Sequence, residues 1–343
     1  MAFNKVTLEN FRTFLDSSFD FSPKTVVVGG NGIGKSTLIE AIRLLSVGKS
    51  FRTHRLDELV NFDQSFFRLQ AQVDKDSKVE LFFGQPFADY PDKERRLTFN
   101  GQETNWLEFF GKLPTVIFSP EDVEIITSGP QVRRRYFDGI LWQVDSQFRS
   151  NSLELSRVLQ ERAKLLFLLK INRAGRAELM PWNELLGRLT KTIRKRRGEY
   201  LAYLNKSLAD KKFQRLNELV VETSYLTEEA DPEALEREEI RKTQNLWGPH
   251  RDEIEIRLND QPARKYASRG QARTVVMLMK IIEAHFLAEK LGKHPTILLD
   301  DLFSELDEKN TGFFLERLGN DSQIIATAVT ANKLIKDWRV INL

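Results

Sequence analysis

The start of the chain alternates apolar and polar residues in short runs, which is the pattern of β-strands. The runs KVTLENF, SSFDFS and KTVVVGG are rich in β-branched and aromatic residues and are separated by turn-forming residues. The third run leads into glycines and then into STLIEAIRLLS, whose apolar residues have helical spacing. The pattern therefore predicts strands, a glycine-rich loop and a helix. Further strand-like runs lie at 64–115, with FNGQ at 99–102 as a hairpin turn.

The middle of the chain has the apolar spacing of long helices. Apolar residues recur every three or four positions in NSLELSRVLQERAKLLFLLK and in LGRLTKTIRKRRGEYLAYLNKSLADKKF, and NRAGRAELMPW separates the two. Strand character returns near Trp247, because DEIEIRLNDQPA alternates apolar and polar residues. We therefore predict an α/β head formed by residues 1–125 and 246–343, with a helical arm inserted at 126–245.

Composition narrows the class of protein. The 343 residues are 41% hydrophobic and 29% charged, as in globular proteins that bury a core. There are no cysteines, which excludes disulfides and thiolate metal sites, and the four histidines show no ligand spacing. The N-terminal residues lack the apolar core of a signal peptide, and no run approaches the roughly 20 apolar residues of a membrane span. We expect a cytoplasmic protein without a membrane partner.

Charge is unevenly distributed, although the net charge is only +3. Residues 130–220 contain 20 Lys and Arg against 9 Asp and Glu, whereas residues 221–239 contain 1 against 8. A basic stretch of this kind can bind nucleic acid, but more often it is a solvated helix face. The sequence leaves both alternatives open for TIRKRR at 192–197 and RRR at 133–135.

GGNGIGKS at 29–36 matches the full pattern of a P-loop. Glycines let such a loop bring backbone N–H groups close to phosphate oxygens, and the following helix directs its N-terminal dipole at the same anion. Lys35 is expected to reach the β- and γ-phosphates of ATP, and Ser36 to bind Mg²⁺. The alternative is a glycine turn with a chance lysine, which average residue frequencies produce in roughly one chain in a hundred. The expected nucleotide-binding residues are Gly29, Gly30, Asn31, Gly32, Ile33, Gly34, Lys35, Ser36 and Thr37.

TILLDDLFSELD at 296–307 predicts a buried strand with acidic residues at its carboxyl end, where α/β folds bind ligands. Asp300 is expected to hold Mg²⁺, and Asp301 to position or activate the attacking water. The alternative is a core strand followed by an acidic helix cap.

YASRGQARTVVMLMKIIEAHFLAE at 266–289 predicts a capped helix upstream of the acidic strand. Ser268 is a good N-cap, and Gly270 and Gln271 leave the first turn uncluttered, so that its free N–H groups form an anion site. The alternative is an ordinary capped core helix.

These three segments, in this order, resemble the motif set of the ABC-type ATPases, in which SELD at 304–307 is the D-loop. Lys35 and Asp300 are 265 residues apart, and a large insertion between these motifs is typical of the SMC-like DNA-repair group. Within that group the chain resembles the RecF family over nearly its whole length. The segments that carry the resemblance are LENFRTF, GGNGIGKSTLIEAIRLLSVGKSFRT, FSPEDVEII, GPQVRRRYFD, GPHRDEIEI, ASRGQARTVVMLMKIIEA and ILLDDLFSELD.

The resemblance implies an ABC-type ATPase head, with a mixed sheet and a P-loop, that carries a short helical arm. In such heads two subunits enclose ATP, so an ATP-bound homodimer with slow hydrolysis is expected. Lys35, Ser36, Asp300 and Asp301 would then act in cis with Mg²⁺. Ser268, Gly270 and Gln271 would contact the γ-phosphate of the partner's ATP in trans.

The family also implies a role in DNA repair, recombination and replication, including the SOS response. It predicts binding to duplex DNA at gaps or junctions between single and double strands, and recombinase loading with RecR and RecO. We therefore expect a location at the nucleoid. The candidate DNA contacts in this sequence are Arg194, Lys195, Arg196 and Arg197.

Other positions depart from the family's pattern or have no clear role in it. Arg269 stands where the family usually has Gln and would add a positive charge beside the γ-phosphate. QIIATAV has no switch histidine; only Thr327 and Thr330 remain of a usual threonine run. No Q-loop glutamine can be assigned.

Two basic segments have open roles. Arg52 and Arg55 in SFRTHR are either arginine fingers or part of a basic surface loop. His250 and Arg251 either form a structural turn or lie near the nucleotide.

Three other functions compete with an ATP-dependent DNA-binding dimer. An ATPase subunit of a membrane importer would be more compact between Lys35 and Asp300. A small-molecule P-loop kinase would leave SRGQAR and SELD without a role. A non-catalytic scaffold that binds ATP only structurally would not need both Asp300 and Asp301.

Overall fold

The computed structural model describes residues 2–74, 76–84, 94–210, 220–226, 232–301, 308–330 and 337–343. The chain divides into two compact units. The first unit comprises Met1–Asp122 and Lys280–Leu343, and the second comprises Val123–Met279. The second unit is therefore an insertion within the sequence of the first.

An antiparallel sheet forms one layer of the first unit. Among the described residues its strand order is β2-β1-β4-β5-β6-β7. One face is apolar and buried because alternate residues point to the same side, as in β4, where Phe67, Leu69, Ala71 and Val73 are all buried. The strands are β1 (Phe3–Phe11), β2 (Phe14–Asp20), β4 (Phe66–Val73), β5 (Ser77–Gly84), β6 (Glu94–Phe99) and β7 (Gln102–Thr104).

The predicted hairpin turn at 99–102 is confirmed between β6 and β7. Phe99 pairs with Gln102, and the two central residues, Asn100 and Gly101, have φ values of 54° and 78°. Two successive positive φ angles are those of a type I′ turn, which Asn-Gly favours because both residues tolerate the left-handed region.

A parallel sheet forms the second layer of this unit and positions the site. In the described residues its order is β14-β3-β13-β12-β8, and every pair is parallel. Its central strands are buried on both faces, which explains their continuous apolar runs. The strands are β3 (Lys24–Val28), β8 (Thr115–Phe118), β12 (Thr296–Leu299), β13 (Ile324–Ala328) and β14 (Arg339–Asn342).

Helix α1 (Lys35–Val47) lies between the two sheets of the first unit. It contacts β1, β4 and β5 on one side and β8, β12 and β13 on the other. Nearly all of its residues are consequently buried, including Leu38, Ile39, Ala41 and Ile42. The helix begins directly after the glycine-rich loop, so the predicted strand, loop and helix are confirmed. The shorter helices of this unit are α2 (Trp106–Phe109) and α10 (Glu308–Leu318).

Helices dominate the second unit. The long α5 and α6 pack against each other as a hairpin, and α7 packs on α5. A three-stranded antiparallel sheet of order β11-β10-β9 completes the described part of this unit. The elements are α3 (Glu124–Thr127), α4 (Pro130–Val144), α5 (Ser146–Lys170), α6 (Arg176–Leu208), β9 (Val221–Leu226), α7 (Pro232–Lys242), β10 (Glu253–Leu258), β11 (Gln261–Pro262) and α8 (Ala263–Tyr266). A further helix, α9 (Arg269–Leu291), begins in this unit and ends in the first.

The separation of the two long helices is shorter than predicted. NRAGRAELMPW was expected to interrupt them, but α6 already begins at Arg176 and includes Pro181. The Gly175 N–H donates to the Glu178 side chain at 2.9 Å, which caps the helix at that point.

The unit boundaries also differ from the predicted ones. The sequence placed the arm at 126–245, whereas the second unit spans Val123–Met279. The first boundary differs by a few residues, but the second lies well downstream of 246. The reason is long-range pairing: β10 is hydrogen-bonded to β9 along its whole length and contacts α4, so this strand packs with the helices.

No helix within the described ranges is long and apolar enough to span a lipid bilayer.

Candidate nucleotide site

The P-loop joins the carboxyl end of β3 to the first turn of α1. The Lys35 ammonium donates to the carbonyl oxygens of Gly29 and Gly30 at 2.6 and 2.7 Å, so its charge lies inside the loop. Gly34 precedes the helix, and no side chain caps it. The first-turn N–H groups therefore remain available to an anion, as the sequence predicted.

Gly34 is required by the backbone and by packing. Its φ of 115° lies in a region that L side chains rarely adopt. A Cβ at this position would also lie 2.8 Å from Cζ of Phe14 and 3.2 Å from Oγ1 of Thr13. The loop can therefore follow this path only with glycine at position 34.

The acidic strand brings Asp300 to the second residue of α1. The Ser36 hydroxyl donates to Oδ1 of Asp300 at 2.9 Å, and the hydroxyl of Thr327 donates to the same oxygen at 3.0 Å. Asp300 is buried, and burial raises the pKa of its carboxyl above the ordinary value. The two hydroxyls partly oppose that rise, whereas the charges of Glu121 and Asp301 add to it.

Asp301 has a backbone conformation unusual for a residue with a side chain. Its φ is 53°, in the left-handed region, and its N–H donates to Oγ1 of Thr327 at 2.8 Å. Such conformations persist only where neighbouring contacts hold them, and they are frequent at functional sites. Thr327 lies on β13, between the strands that carry the P-loop and Asp300, and its hydroxyl connects the two aspartates.

The oxygen ligands that Mg²⁺ prefers are present beside the P-loop. Ser36 Oγ and Asp300 Oδ1 are within hydrogen-bond distance and belong to different elements. Within the described ranges there is no group of three or more His, Cys, Asp or Glu residues that would hold a metal alone. Mg²⁺ at nucleotide sites typically takes one or two protein ligands and completes its octahedron with waters and phosphate oxygens. The residues present therefore fit a magnesium–nucleotide complex rather than an all-protein metal site.

A cavity of about 550 Å³ opens over this constellation. Its volume is within the usual range for small-molecule sites. The predicted Lys35, Ser36 and Asp301 line it, and so does Thr327. The structure also separates the two arginines that the sequence could not rank. Arg52 lines the cavity, whereas Arg55 is 70% exposed in its side chain and pairs with Asp57. Lining residues that the sequence did not single out include Arg12, Asn61, Phe62 and Gln64.

The predicted signature segment, with Ser268, Gly270 and Gln271, lies within the second unit. Ser268 and Gln271 form a reciprocal cap: the Gln271 N–H donates to Ser268 Oγ at 3.2 Å, and the Ser268 N–H donates to Gln271 Oε1 at 2.8 Å. Ser268, Arg269 and Gly270 are exposed, and a Cβ at Gly270 would meet nothing within 4 Å. The open first turn is thus as predicted, and the Gln271 amide has a structural role in it.

The predicted DNA contacts at 194–197 are mostly engaged within the second unit. Arg197 is buried and donates to both carboxylate oxygens of Asp138, at 2.8 and 2.9 Å. Arg194 forms a bidentate pair with Asp252, at 2.6 and 3.0 Å. The prediction for Arg197 is wrong, because a guanidinium that is buried and fully engaged cannot reach a phosphate.

The other basic residues of these two runs differ in the same way. Arg196 is half-buried and pairs with Asp145 and Glu199, whereas Lys195 is exposed. In the upstream run RRR, Arg133 is buried and pairs with Glu253, and Arg135 is exposed. Roughly every fourth residue of these helices faces inward, so one basic residue can be buried while its neighbour in sequence is exposed.

The GPHRDE segment forms a structural turn in the second unit. Nε2 of His250 and the Arg251 guanidinium both contact the carbonyl oxygen of Asn245. Burial lowers the pKa of His250. The first of the two alternatives, a turn leading into β10, is therefore the one the structure supports. The D-loop prediction, SELD at 304–307, lies outside the described residues.

Comparison with known proteins gives the same family over nearly the whole chain. The model of the RecF/RecN/SMC N terminal domain family matches residues 2–342. A "DNA replication and repair protein RecF" from Moorella thermoacetica is 31% identical over 97% of this chain and 91% of its own length. The protein of the same description from Caldanaerobacter subterraneus subsp. tengcongensis is 33% identical over 93% and 92%. The chain belongs to the RecF family.

Solved structures agree with that assignment. The structure described as "recombination mediator protein RecF-ATPrS in RecFOR pathway" has a TM-score of 0.86 at 30% identity and covers 100% of this chain and 96% of its own. The corresponding RecF-ATP structure has a TM-score of 0.84 at 31% identity, with 96% and 92% covered. An Smc head domain from Pyrococcus furiosus has a TM-score of 0.50 at 18% identity, which shows a shared ABC-type head fold.

Sequence reasoning missed Thr327 as the residue that connects the two aspartates, and it missed Arg12 and Glu40 altogether. The sequence could have indicated Thr327, because a polar residue near the carboxyl end of an apolar strand in an α/β fold lies where such folds bind ligands. It could also have indicated Glu40, because this is a charged residue within the apolar run of STLIEAIRLLS. Nothing in the sequence near Arg12 indicates its place at the cavity, because its main chain is held there by Leu59 and Asn61, which are distant in the chain.

Proposed function

We propose that this chain binds ATP with Mg²⁺ in the P-loop cavity and hydrolyses it slowly. The observation that carries the proposal is that Lys35, Ser36 and Asp301 line one cavity, and that Asp300, 265 positions after Lys35, accepts a hydrogen bond from Ser36 beside it. Lys35 would hold the β- and γ-phosphates, because its ammonium lies inside a loop that leads into an uncapped helix N-terminus, where N–H groups are available to an anion. Ser36 and Asp300 would hold Mg²⁺, whose positive charge would stabilise the negative charge that develops on the phosphate oxygens during hydrolysis.

Asp301 would position or activate the attacking water. Its left-handed backbone and its place in the cavity lining support this role. Asp300 and Asp301 are adjacent but differ in environment, since Asp300 is engaged by Ser36 and Thr327 through its side chain. Two neighbouring carboxylates with different surroundings are suited to different tasks, one at the metal and one at the water.

We further propose that ATP joins two copies of the chain. Ser268, Gly270 and Gln271 would contact the γ-phosphate of the partner's nucleotide. The exposed first turn of α9 supports this assignment. The similar structures named RecF-ATPrS and RecF-ATP support the binding of this nucleotide. ATP would then favour the dimer by mass action, because it binds the two-chain state better than the single chain.

Duplex DNA is the proposed partner of the dimer, with gapped or junction DNA preferred and RecR- and RecO-like proteins as further partners. Relatives named for DNA replication and repair and for the RecFOR pathway support this. The structure changes the candidate contacts: Arg188, Lys191 and Lys195 are exposed and lie at three- and four-residue spacing on one face of α6. Phosphate contacts of this kind carry no sequence information. The relatives are RecF proteins and SMC heads, which gives the importer alternative no support.

The test compares sedimentation and DNA binding with and without ATP. Wild type is expected to dimerise with ATP and Mg²⁺, whereas Lys35→Met stays monomeric. Asp301→Asn is expected to dimerise but to release phosphate at least tenfold more slowly, since positioned acid–base groups contribute about 10²–10⁴-fold. A wild-type chain that remains monomeric at saturating ATP would exclude the dimer.

DNA contact is tested with Lys191→Ala/Lys195→Ala on α6. Each lost phosphate contact should reduce the salt slope of binding by about one. The charge-matched control is Lys5→Ala/Lys78→Ala, two exposed lysines on the antiparallel sheet, which should leave DNA affinity unchanged. Equal losses from both pairs would show a general effect of net charge instead of contact by α6.

A further inference from the structure

Glu40 is a fully buried carboxylate in the middle of α1, between apolar neighbours on a helix that is buried on both sides. An ionised carboxylate in such surroundings is destabilising unless charged or polar partners compensate for its lost hydration. The partners of Glu40 come from two loops at the nucleotide cavity, and none of the roles proposed above uses it.

The first partner is Arg12, in the turn between β1 and β2. Its Nε and Nη2 donate to the two oxygens of Glu40 at 2.5 and 2.8 Å, which is a bidentate pair. The Arg12 backbone is also held: its φ is 49°, its N–H donates to the carbonyl of Leu59, and its carbonyl accepts from Asn61 Nδ2. A left-handed conformation is uncommon for so bulky a residue and is kept only by surrounding contacts.

The second set of partners belongs to the loop that follows α1. The Ser50 hydroxyl donates to Oε1 of Glu40, and the backbone N–H groups of Arg52 and Thr53 donate to that hydroxyl at 2.9 and 3.1 Å. The Arg52 guanidinium itself is 3.8 Å from Oε2 of Glu40. One buried carboxylate therefore restrains the side chain of Arg12 and both the main chain and the side chain of Arg52.

We infer that Glu40 is a positioning residue that holds Arg12 and Arg52 at the cavity so that both guanidinium groups engage the polyphosphate of the bound nucleotide. Both arginines line the cavity, and Arg52 is about half exposed, so it retains donors for a ligand. Orienting a guanidinium before binding reduces the conformational entropy lost when the anion arrives. This inference rests on the proposed function, because it takes the cavity as the ATP site.

The sign of one charge change distinguishes positioning from simple electrostatics. Glu40→Gln removes a negative charge close to the cavity, and Coulomb attraction alone would then make the triphosphate bind more tightly. Positioning predicts the opposite, because the neutral amide loses the charge and one of the two acceptor oxygens that hold the guanidinium groups. We expect Glu40→Gln to raise the dissociation constant for ATP with Mg²⁺ at least tenfold, measured by titration of the full chain. The matched control is Glu9→Gln, which breaks another Arg–Glu pair of the same unit, with Arg68 at 2.8 Å, outside the cavity lining.

A double variant separates positioning from a general loss of folding. If Glu40 acts through Arg52, adding Arg52→Ala to Glu40→Gln weakens ATP binding by much less than the product of the two single effects. A purely structural role would leave the two effects multiplicative. Should Glu40→Gln not fold, Ser50→Ala keeps the carboxylate but removes its link to the Arg52 backbone, and we expect it to weaken ATP binding several-fold.

The outcomes assign failure clearly. Equal or tighter ATP binding by folded Glu40→Gln, or by Ser50→Ala, overturns the inference while leaving the proposed function intact. If wild type itself does not bind ATP, or if Lys35→Met binds it equally well, the proposed function fails first.

Discussion

Replacing Thr327 with valine tests how the two aspartates are held in place. Valine has nearly the shape of threonine, so the change removes the hydroxyl and little else. That hydroxyl donates to Asp300 at 3.0 Å and accepts the N–H of Asp301 at 2.8 Å, and Thr327 is fully buried. The variant would therefore leave a backbone N–H without its acceptor and a carboxylate with one donor fewer.

The expected magnitude follows from these two contacts. A hydrogen bond to a charged group contributes about 1.5–3 kcal/mol, and a buried donor left without a partner costs about 1–3 kcal/mol. The sum of the lower values is about 2.5 kcal/mol, part of which appears as lost stability. If about half is lost from transition-state stabilisation, kcat falls by about tenfold, since 1.36 kcal/mol corresponds to a factor of ten.

The assay is steady-state phosphate release over a range of ATP and Mg²⁺ concentrations, together with thermal unfolding of the nucleotide-free protein. We expect Thr327→Val to lower kcat more than it raises KM for ATP, and to require more Mg²⁺ for half-maximal rate. Thr327→Ser is the matched control, because it keeps the hydroxyl and loses only a methyl group. A valine variant with wild-type kcat and wild-type Mg²⁺ dependence would refute the connecting role of Thr327.

Two further predictions concern charge. Burial raises the pKa of Asp300, so the folded protein binds that proton more tightly than the unfolded chain; the associated stability is present below the unfolded pKa and is lost as pH rises through the folded one. Asp300→Asn should therefore raise the melting temperature of the nucleotide-free protein at pH 8 more than at pH 5, and an equal rise at both pH values would contradict the cause given. Arg197→Ala should destabilise the second unit by about 3 kcal/mol in denaturant unfolding, because it removes the bidentate partner of Asp138 and one of the two cations beside the buried Asp252, which keeps its pair with Arg194. Lys195→Ala should leave that free energy unchanged, and similar losses from both variants would show that burial is not what separates them.

Much of the site was predictable because its chemistry is local in sequence. The P-loop pattern specifies a backbone path, a cation and a hydroxyl within eight residues, and the glycine at position 34 meets a steric requirement that the structure confirms. An apolar strand followed by two aspartates likewise places acids at a sheet edge whatever the rest of the fold. The family assignment rested on the order of several such local motifs, which is why it was confirmed.

The unit boundary and the basic run were not predictable in the same way. Whether β10 packs with the arm or with the head depends on its pairing with β9, and the pattern of DEIEIRLNDQPA fits either neighbour. The basic run has the same ambiguity, because four consecutive basic residues look alike in sequence. Only the packing of α6 determines that Arg197 meets Asp138 inside the second unit while Lys195 faces solvent.

Local sequence specifies the chemical groups of the site and the short-range geometry they need: a phosphate-binding loop, a hydroxyl and two carboxylates at strand and helix ends. Which of two similar residues performs a given task depends on the folded chain, which places Arg52 rather than Arg55 at the cavity and Lys195 rather than Arg197 at the surface. The physical reason is that burial and ion pairing are set by contacts between residues far apart in the chain. A backbone turn or a helix start is set by its immediate neighbours.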